Sequence, residues 1–177
     1  MNVKNGLSEV VLNRVNPYNQ ILTLNKDFYN NKSKLIKTYK DNVNSGFYML
    51  CGLSDDELQI MNINHEYGHI LQNTLLVKRY KSLGWTSKDA RKFIDESKIN
   101  RLQWYDDVLA DFEKECVDEI VTIAEKNNPN FDLLKSISKY GLDSDSDFFA
   151  EVFANSQSSK PNELGLAMEQ WLKEKGY

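Results

Sequence analysis

The sequence predicts an α+β fold in which a small N-terminal sheet is followed mostly by helices. The best strand candidate is the β-prone segment of residues 20–25, which has polar residues at both ends. Two shorter apolar segments, Val10-Val11-Leu12 and Phe47-Tyr48-Met49-Leu50, are further strand candidates. After residue 54 the apolar residues recur at helical spacing, and strands that precede a run of helices are typical of α+β domains.

The longest predicted helix spans residues 55–83 and is expected to lie at the centre of the domain. Ser54 and Glu57 form a capping box at its start, an arrangement in which each side chain bonds the other residue's backbone amide. Gly84 is a suitable C-terminal stop. The helix is expected to be buried because apolar residues fall on more than one of its faces: Leu58, Ile60, Met61, Ile63, Ile70, Leu71, Leu75, Leu76 and Val77.

Further helices are predicted on both sides of this one. Leu35, Ile36 and Tyr39 indicate a short surface helix. Downstream, helices are predicted over residues 86–126 with a break near 97–101, over 131–140, over 148–156, and in a last segment whose first turn contains Pro161. No repeat, linker or low-complexity tail interrupts the pattern, so residues 1–177 are predicted to form a single domain.

Composition places the chain among globular proteins and argues against several classes of partner. Hydrophobic residues make up 41% of the 177 residues and charged residues 27%, which is sufficient for a hydrophobic core. A net charge of −4 does not favour nucleic acid, and no apolar run is long enough to span a membrane. The first ten residues lack a signal-peptide core, so we expect a cytoplasmic or phage-associated protein, or a domain excised from a longer chain. Cys51 and Cys116 are expected to be two separate buried thiols, and the oligomeric state stays open.

Both histidines of the chain lie in the segment His65-Glu66-Tyr67-Gly68-His69, which reads H-E-x-x-H. Residues four apart on a helix lie on one face, so His65 and His69 can direct ring nitrogens at the same ion. Glu66 is then close enough to reach a water molecule on that ion, which is the arrangement of zinc peptidases. The competing interpretation is a buried helix that carries two hydrogen-bonded histidines.

The third metal ligand must come from another residue type. A catalytic zinc site uses three protein ligands and leaves the fourth position to water. The metzincin class is excluded, because Gln72 and Leu75 stand where it has Gly and His. A carboxylate or a cysteine must therefore complete the site. The acidic candidates include Asp106, Asp107, Asp111, Glu115, Asp147 and Glu151.

Residues 140–154 stand out among these candidates. Asp147 and Glu151 are four residues apart and are flanked by aromatic residues, which are expected to anchor a helix in the core. One carboxylate can bind the metal while the other, one turn away, forms a hydrogen bond with a ligand histidine.

These motifs resemble those of a known family. An H-E-x-G-H motif followed far downstream by a Tyr and a [DE]-F-F-A-E-x-F helix is similar to the catalytic domain of anthrax lethal factor and to the Pro-Pro endopeptidases of clostridia. Similar zincin domains are attached to bacteriophage head proteins. The resemblance covers residues 65–69 and 140–154, and it implies a zincin-like metallopeptidase domain with the H-E-x-x-H helix at its centre.

The resemblance also implies roles for individual residues. It makes His65 and His69 zinc ligands and Glu66 the general base. The family's third ligand is a Glu seven residues after a catalytic Tyr; here Asp147 takes that place relative to Tyr140, and Asp is one methylene shorter. Glu151 matches the carboxylate that supports a ligand histidine.

Alternatives stay open for three of these assignments. Glu151 has the longer reach and is an alternative ligand. Asp147 can instead cap its helix in a box with Ser144, and capping is compatible with ligation only if one carboxylate oxygen turns to the metal. Tyr140 is predicted to stabilise the oxyanion and to protonate the leaving amine, but it can equally serve as a cap before Gly141. The resemblance also implies a substrate-binding edge strand, for which residues 21–24 are the candidate.

The predicted function is zinc-dependent hydrolysis of peptide bonds in a protein or peptide substrate, with Zn²⁺ as the cofactor. The main alternative is a catalytically silent or structural zincin module, such as a virion-associated domain. An intact Glu66 argues against that alternative, since a structural site needs no base. A metal-dependent amidase or deaminase would use the same chemistry.

Overall fold

The structure, a computed structural model, describes residues 7–11, 19–49, 53–82 and 101–177, with side chains at all of these except 11, 80, 81 and 101–109. The described part is mostly helical and has a two-stranded antiparallel sheet near the N-terminus. The strands are β1 (Ser8–Val11) and β2 (Ile21–Leu24). The helices are α1 (Lys26–Tyr29), α2 (Lys32–Asn44), α3 (Asp55–Ser82), α4 (Arg101–Asn127), α5 (Leu133–Ser136), α6 (Asp145–Ser156) and α7 (Glu163–Glu174), with a 3-10 turn at Tyr140–Leu142.

The sheet confirms the two N-terminal strand predictions within the described residues. Residues 21–24 pair with β1 in a register that places Ser8 opposite Leu24. Strand β1 contains Val10 and Val11 of the predicted segment, while Leu12 lies outside the described residues. β1 also packs on α3, and this contact brings the N-terminal segment beside the H-E-x-x-H motif.

The central helix α3 begins as the capping box predicts. The Ser54 amide donates to Glu57 Oε2 at 2.9 Å, and the Glu57 amide donates to Ser54 Oγ at 3.3 Å. The other carboxylate oxygen of Glu57 accepts from the Ser159 amide at 2.8 Å. These hydrogen bonds, the Ser159 contact first, lower the pKa of Glu57 to about 2. The predicted stop at Gly84 lies outside the described residues, as does the predicted break near 97–101.

Helix α3 separates two groups of buried apolar side chains. One group lies among α3, α4, α6 and α7 and includes Leu75, Ile120, Phe149, Val152, Leu164, Met168 and Trp171. The other lies between α2, α3 and the N-terminal segment and includes Leu7, Leu35, Ile36, Tyr39, Leu58 and Met61. Helix α2, predicted as a short surface helix, is therefore an amphipathic helix whose apolar face is buried. Cys116 is buried and free, whereas Cys51 lies outside the described residues.

Helices α3 and α6 pack closely, and Gly68 sets their separation. A β-carbon at residue 68 would lie 2.6 Å from the Cα of Ala150 on α6. Only a residue without a side chain allows the two backbones to approach this closely. The glycine of the H-E-x-G-H motif thus places the motif helix directly against the helix that carries Asp147 and Glu151.

The predicted strand at residues 47–50 is wrong for the described residues 47–49. The backbone there bends, because its polar groups bond to other segments rather than to a strand. The Phe47 amide donates to the Asn42 carbonyl at 2.9 Å, and the Phe47 carbonyl accepts from the Tyr140 amide at 3.0 Å. The Met49 amide donates to Glu151. This bend therefore holds the Tyr140 turn beside α3.

Three downstream helix boundaries also differ from the prediction. The helix predicted over 131–140 is the single turn α5 followed by the 3-10 turn, because the Ile137 backbone is extended and breaks the helix. Helix α6 begins at Asp145, earlier than predicted, with Ser144 as its N-cap. Asn162 caps α7 by accepting from the Gly165 amide at 3.0 Å, so Pro161 precedes the helix. Across the described segments, every helix is too short or too polar to cross a lipid bilayer.

Candidate metal centre

His65, His69 and Asp147 come together at the contact between α3 and α6. One potential ligand atom from each lies within 4.8 Å of the other two. The Nε2 atoms of the two histidines are 3.1 Å apart, and His69 Nε2 is 3.7 Å from Asp147 Oδ1. His65 is buried, and the other two side chains are partly exposed. The spacing within the motif and the packing of α6 therefore produce a group of three residues that can hold a metal ion.

Asp147 uses its two carboxylate oxygens for different contacts. Oδ2 accepts from the Ser144 hydroxyl at 2.6 Å, and that hydroxyl accepts from the Asp147 amide at 3.0 Å. Oδ1 is the oxygen that faces His69. Capping and ligation are therefore compatible in this geometry, since the cap occupies only one of the two oxygens.

Glu151 lies behind His65 rather than among the converging atoms. Its Oε1 is 3.2 Å from His65 Nδ1, at an ion-pair distance but not aligned for a hydrogen bond. Its Oε2 accepts from the Met49 amide at 2.9 Å and from the Ser138 hydroxyl at 3.0 Å. A carboxylate fixed in this way favours a proton on Nδ1 of His65, which leaves Nε2 free to bind a metal. The structure thus places Glu151 where the sequence predicted a supporting carboxylate.

His69 has a different partner behind it. Its Nδ1 is 3.0 Å from the Ser146 hydroxyl, which in turn donates to Gln72 Oε1 at 3.3 Å. Burial, followed by the nearby charge of His65, lowers the pKa of His69 to about 4. His69 is therefore neutral near pH 7, the state that a metal ligand requires.

The chemistry of these donors fits a zinc ion. Two neutral imidazole nitrogens 3.1 Å apart repel through their lone pairs unless a proton or a cation lies between them. Tetrahedral zinc with bonds of about 2.0–2.1 Å separates neighbouring donors by roughly 3.3 Å. The separations of 3.1 Å and 3.7 Å lie on either side of that value. Two nitrogens and one carboxylate oxygen are also a donor set that catalytic zinc uses.

Glu66 lies beside these residues and is held by strand β1. Its Oε1 accepts from the Ser8 hydroxyl at 2.8 Å, and the Val10 amide also donates to its carboxylate. Asn62 on α3 donates to the same serine hydroxyl. The side chain is 8% exposed, and burial raises the pKa of Glu66. A buried carboxylate with a raised pKa has a stronger tendency to take a proton than an exposed one.

Tyr140 lies over the other side of His65. Its ring stacks on the His65 ring at 5.4 Å between centroids and on the Phe47 ring at 5.2 Å. Burial, and then the nearby charge of Asp147, raises the pKa of Tyr140. The hydroxyl therefore stays protonated at neutral pH and can donate a hydrogen bond next to the candidate ligands.

The other acidic candidates do not join this group. Among those with described side chains, Glu115 pairs with Arg79 at 2.6 Å, and Asp111 lies on the same helix α4. The side chains of Asp106 and Asp107 lie outside the described part.

The sequence analysis did not predict a role in the site for four residues that contact it: Ser8, Gln72, Ser138 and Ser146. Each is a small or neutral polar residue that supports a neighbour rather than carrying the chemistry itself. Ser146 and Gln72 had a usable signal, since one precedes Asp147 directly and the other lies on the His69 face of the helix. Ser8 and Ser138 had none, because only the tertiary fold brings them to the site.

Comparisons of the chain with protein-family models, with curated proteins and with solved structures give no match. The resemblance to lethal factor and the Pro-Pro endopeptidases therefore rests on the motifs at residues 65–69 and 140–154.

Proposed function

We propose that this chain is a zinc-dependent peptidase with a zincin-like domain. The observation that carries the proposal is the convergence of His65, His69 and Asp147 with an acidic side chain, Glu66, directly beside them. Glu151 supports it further, because a carboxylate behind a ligand histidine is a frequent feature of zinc sites.

In this proposal the two histidines and Asp147 hold the ion. Zinc bound there would lower the pKa of a water molecule to about 7 and polarise the scissile carbonyl. Glu66 takes the proton of the attacking water and passes it to the leaving nitrogen. The Tyr140 hydroxyl donates to the oxyanion that forms, a contribution typically of about 3 kcal/mol. Its ring stacks on the His65 ring, which keeps Tyr140 close to the candidate ligands.

The substrate in this proposal is an unfolded or extended segment of a protein or peptide. Strand β2 was the predicted edge strand for binding such a segment, and its exposed Ile21 is compatible with that role. The contact of β1 with Glu66 makes the two-stranded sheet the structural element next to the general base.

A catalytically silent module is the second candidate, and one observation favours it. Glu66 is 8% exposed, and hydrogen bonds from Ser8 and Val10 engage its carboxylate, as would be expected of a structural residue. Such a module would bind zinc for stability and hydrolyse nothing.

A Glu66→Gln variant tests the proposal. Parent and variant are purified without added zinc, their metal content is measured, and both are incubated with a peptide library and with unstructured proteins. We expect about one zinc per chain in both and cleavage by the parent only. Glu125→Gln, an exposed change on α4, is the matched control and should cleave as the parent does.

Three results would overturn the proposal. A parent that binds zinc but cleaves no substrate would favour the silent module. Equal cleavage by parent and Glu66→Gln would rule out the general-base role. A His65→Ala variant that keeps its full zinc content would show that the metal is held elsewhere.

A further inference from the structure

We propose that Ser146 and Gln72 form a hydrogen-bonded chain that fixes which nitrogen of His69 carries its proton. This inference rests on the metal site of the proposed function, and it adds two positioning residues to that site. Neither residue converges on the ion, so each acts through His69.

The chain runs between the two helices that form the site. Ser146 lies in the first turn of α6, immediately before Asp147, and its hydroxyl is 3.0 Å from His69 Nδ1. Gln72 lies on α3 one turn after His69 and is 2% exposed. Its Oε1 accepts from the same hydroxyl at 3.3 Å. The His69 imidazole, the partly buried Ser146 hydroxyl and the buried Gln72 amide thus follow one another away from the proposed metal position.

Only one direction of this chain is compatible with a metal at His69 Nε2. A hydroxyl that donates its proton to Gln72 Oε1 must accept at its oxygen, so His69 Nδ1 carries a hydrogen and donates it. The lone pair of His69 is then on Nε2, which faces His65 Nε2 at 3.1 Å and Asp147 Oδ1 at 3.7 Å. The reverse direction would place a hydrogen on Nε2 and block the metal.

The orientation of the Gln72 amide therefore decides the direction. With Oε1 toward Ser146, the amide can only accept; rotated by 180°, its NH₂ group would donate to the hydroxyl and reverse the chain. Within the described residues, Gln72 Nε2 has no hydrogen-bond partner despite its burial. The acceptor Oε1 points at Ser146, which is the orientation that the proposed direction requires.

The two histidines consequently receive different support. Glu151 lies behind His65 with a negative charge, whereas His69 has a neutral hydroxyl and amide behind it. A second buried carboxylate at residue 72 would add charge to a site that already contains Asp147 and Glu151. The neutral chain fixes the proton of His69 without that added charge.

The test compares four variants with the parent. Ser146→Ala removes the hydroxyl, and Gln72→Met keeps the length of the side chain but removes its acceptor. Gln72→Glu keeps an acceptor at this position, and an ionised carboxylate cannot donate. The hydrogen bonds should therefore keep the direction that they have in the parent. Ser156→Ala is the matched control, because it removes a buried hydroxyl from the same helix at a position that bonds the Phe153 carbonyl.

Two readouts are measured on each protein. Zinc affinity is obtained by competition with a chelator, and loss of a partner behind a ligand typically weakens it about 10- to 100-fold. The proton position is read from the ¹⁵N signals of the metal-free protein labelled at histidine, which are readily assigned because the chain has 2 histidines. The second readout requires neither zinc nor a peptide substrate.

We expect Ser146→Ala and Gln72→Met to bind zinc about 10- to 100-fold more weakly and to move the His69 proton from Nδ1 toward Nε2. Gln72→Glu should keep the proton position of the parent, and Ser156→Ala should resemble the parent in both readouts. Parent-like affinity and an unchanged proton position in Ser146→Ala would overturn the inference. A parent that binds zinc but cleaves nothing would refute the proposed peptidase activity and leave this inference intact. If the parent has no zinc affinity, the ¹⁵N signals of His69 still test whether Ser146 and Gln72 fix the position of its proton.

Discussion

Gly68→Ala tests whether the close approach of α3 and α6 assembles the metal site. The added methyl carbon would lie 2.6 Å from the Cα of Ala150, whereas an ordinary contact begins at 3.4 Å, so the helices must separate locally by about 0.8 Å. The atom that it meets belongs to the backbone, which cannot rotate away. His65 and His69 lie on one of these helices and Asp147 on the other, so the separation acts directly on the three candidate ligands.

The expected effects on stability and on zinc affinity differ in size. Overpacking typically costs about 1–3 kcal/mol, and the better helix propensity of Ala returns about 1 kcal/mol, so the free energy of unfolding should fall by at most about 2 kcal/mol. Metal–ligand distances tolerate changes of only about 0.2 Å. A shift several times larger should weaken zinc binding at least about 10-fold, comparable with the loss of a supporting partner.

The assay measures urea unfolding of the metal-free protein and zinc affinity by chelator competition. Gly165→Ala is the control, because its methyl carbon would clash with Asn155 Oδ1 at the contact between α6 and α7, away from the candidate ligands. We expect both variants to lose stability and only Gly68→Ala to lose zinc affinity. Parent-like zinc affinity in a folded Gly68→Ala would refute the argument that this contact sets the ligand geometry.

Three further outcomes are expected. Asp147→Asn should nearly empty the zinc site while Glu151→Gln weakens binding about 10- to 100-fold, as measured by chelator competition; the opposite ranking would exchange the two roles. Ser8→Ala should lower kcat without changing zinc affinity, since it removes a hydrogen bond to Glu66, the proposed general base, and an unchanged kcat would contradict a role for Ser8 in the site. Hydrogen bonds from Ser159 and from the N-cap serine hold the pKa of Glu57 at about 2, below its usual 4.5. The stability that ionised Glu57 contributes is therefore complete above pH 4.5 and is lost as the pH falls toward 2. The free energies of unfolding of the parent and of Glu57→Gln, measured in urea, should converge over that range. A difference that persists undiminished at pH 2 would contradict this linkage.

Several features of the protein follow from the sequence because they depend on residues close together in the chain. The capping box at Ser54 and the helix that follows it are confirmed, since a helix cap needs only residues three apart. The common face of His65 and His69 likewise follows from a spacing of four. Strand β2 is confirmed from its β-prone composition alone.

Local signals failed where backbone polar groups bond across the fold. Phe47 and Met49 are apolar enough for a strand, but the Phe47 carbonyl bonds the Tyr140 amide and the Met49 amide bonds Glu151. The spacing of apolar residues along the chain cannot predict such hydrogen-bond partners, because they are about one hundred residues apart. The segment that sequence reasoning assigned to the sheet instead bonds Tyr140 and Glu151 at the candidate metal centre.

Only the tertiary structure decided how Asp147 and Glu151 divide their contacts. Both are carboxylates on one face of one helix, and reach and spacing favoured different ones as the residue nearest the metal. The position of α6 against α3, fixed where Gly68 meets Ala150, brings Asp147 Oδ1 to His69 and Glu151 Oε1 to His65. Sequence spacing determines which side chains share a helix face, whereas the contact between two helices determines which atom of each side chain reaches the other helix.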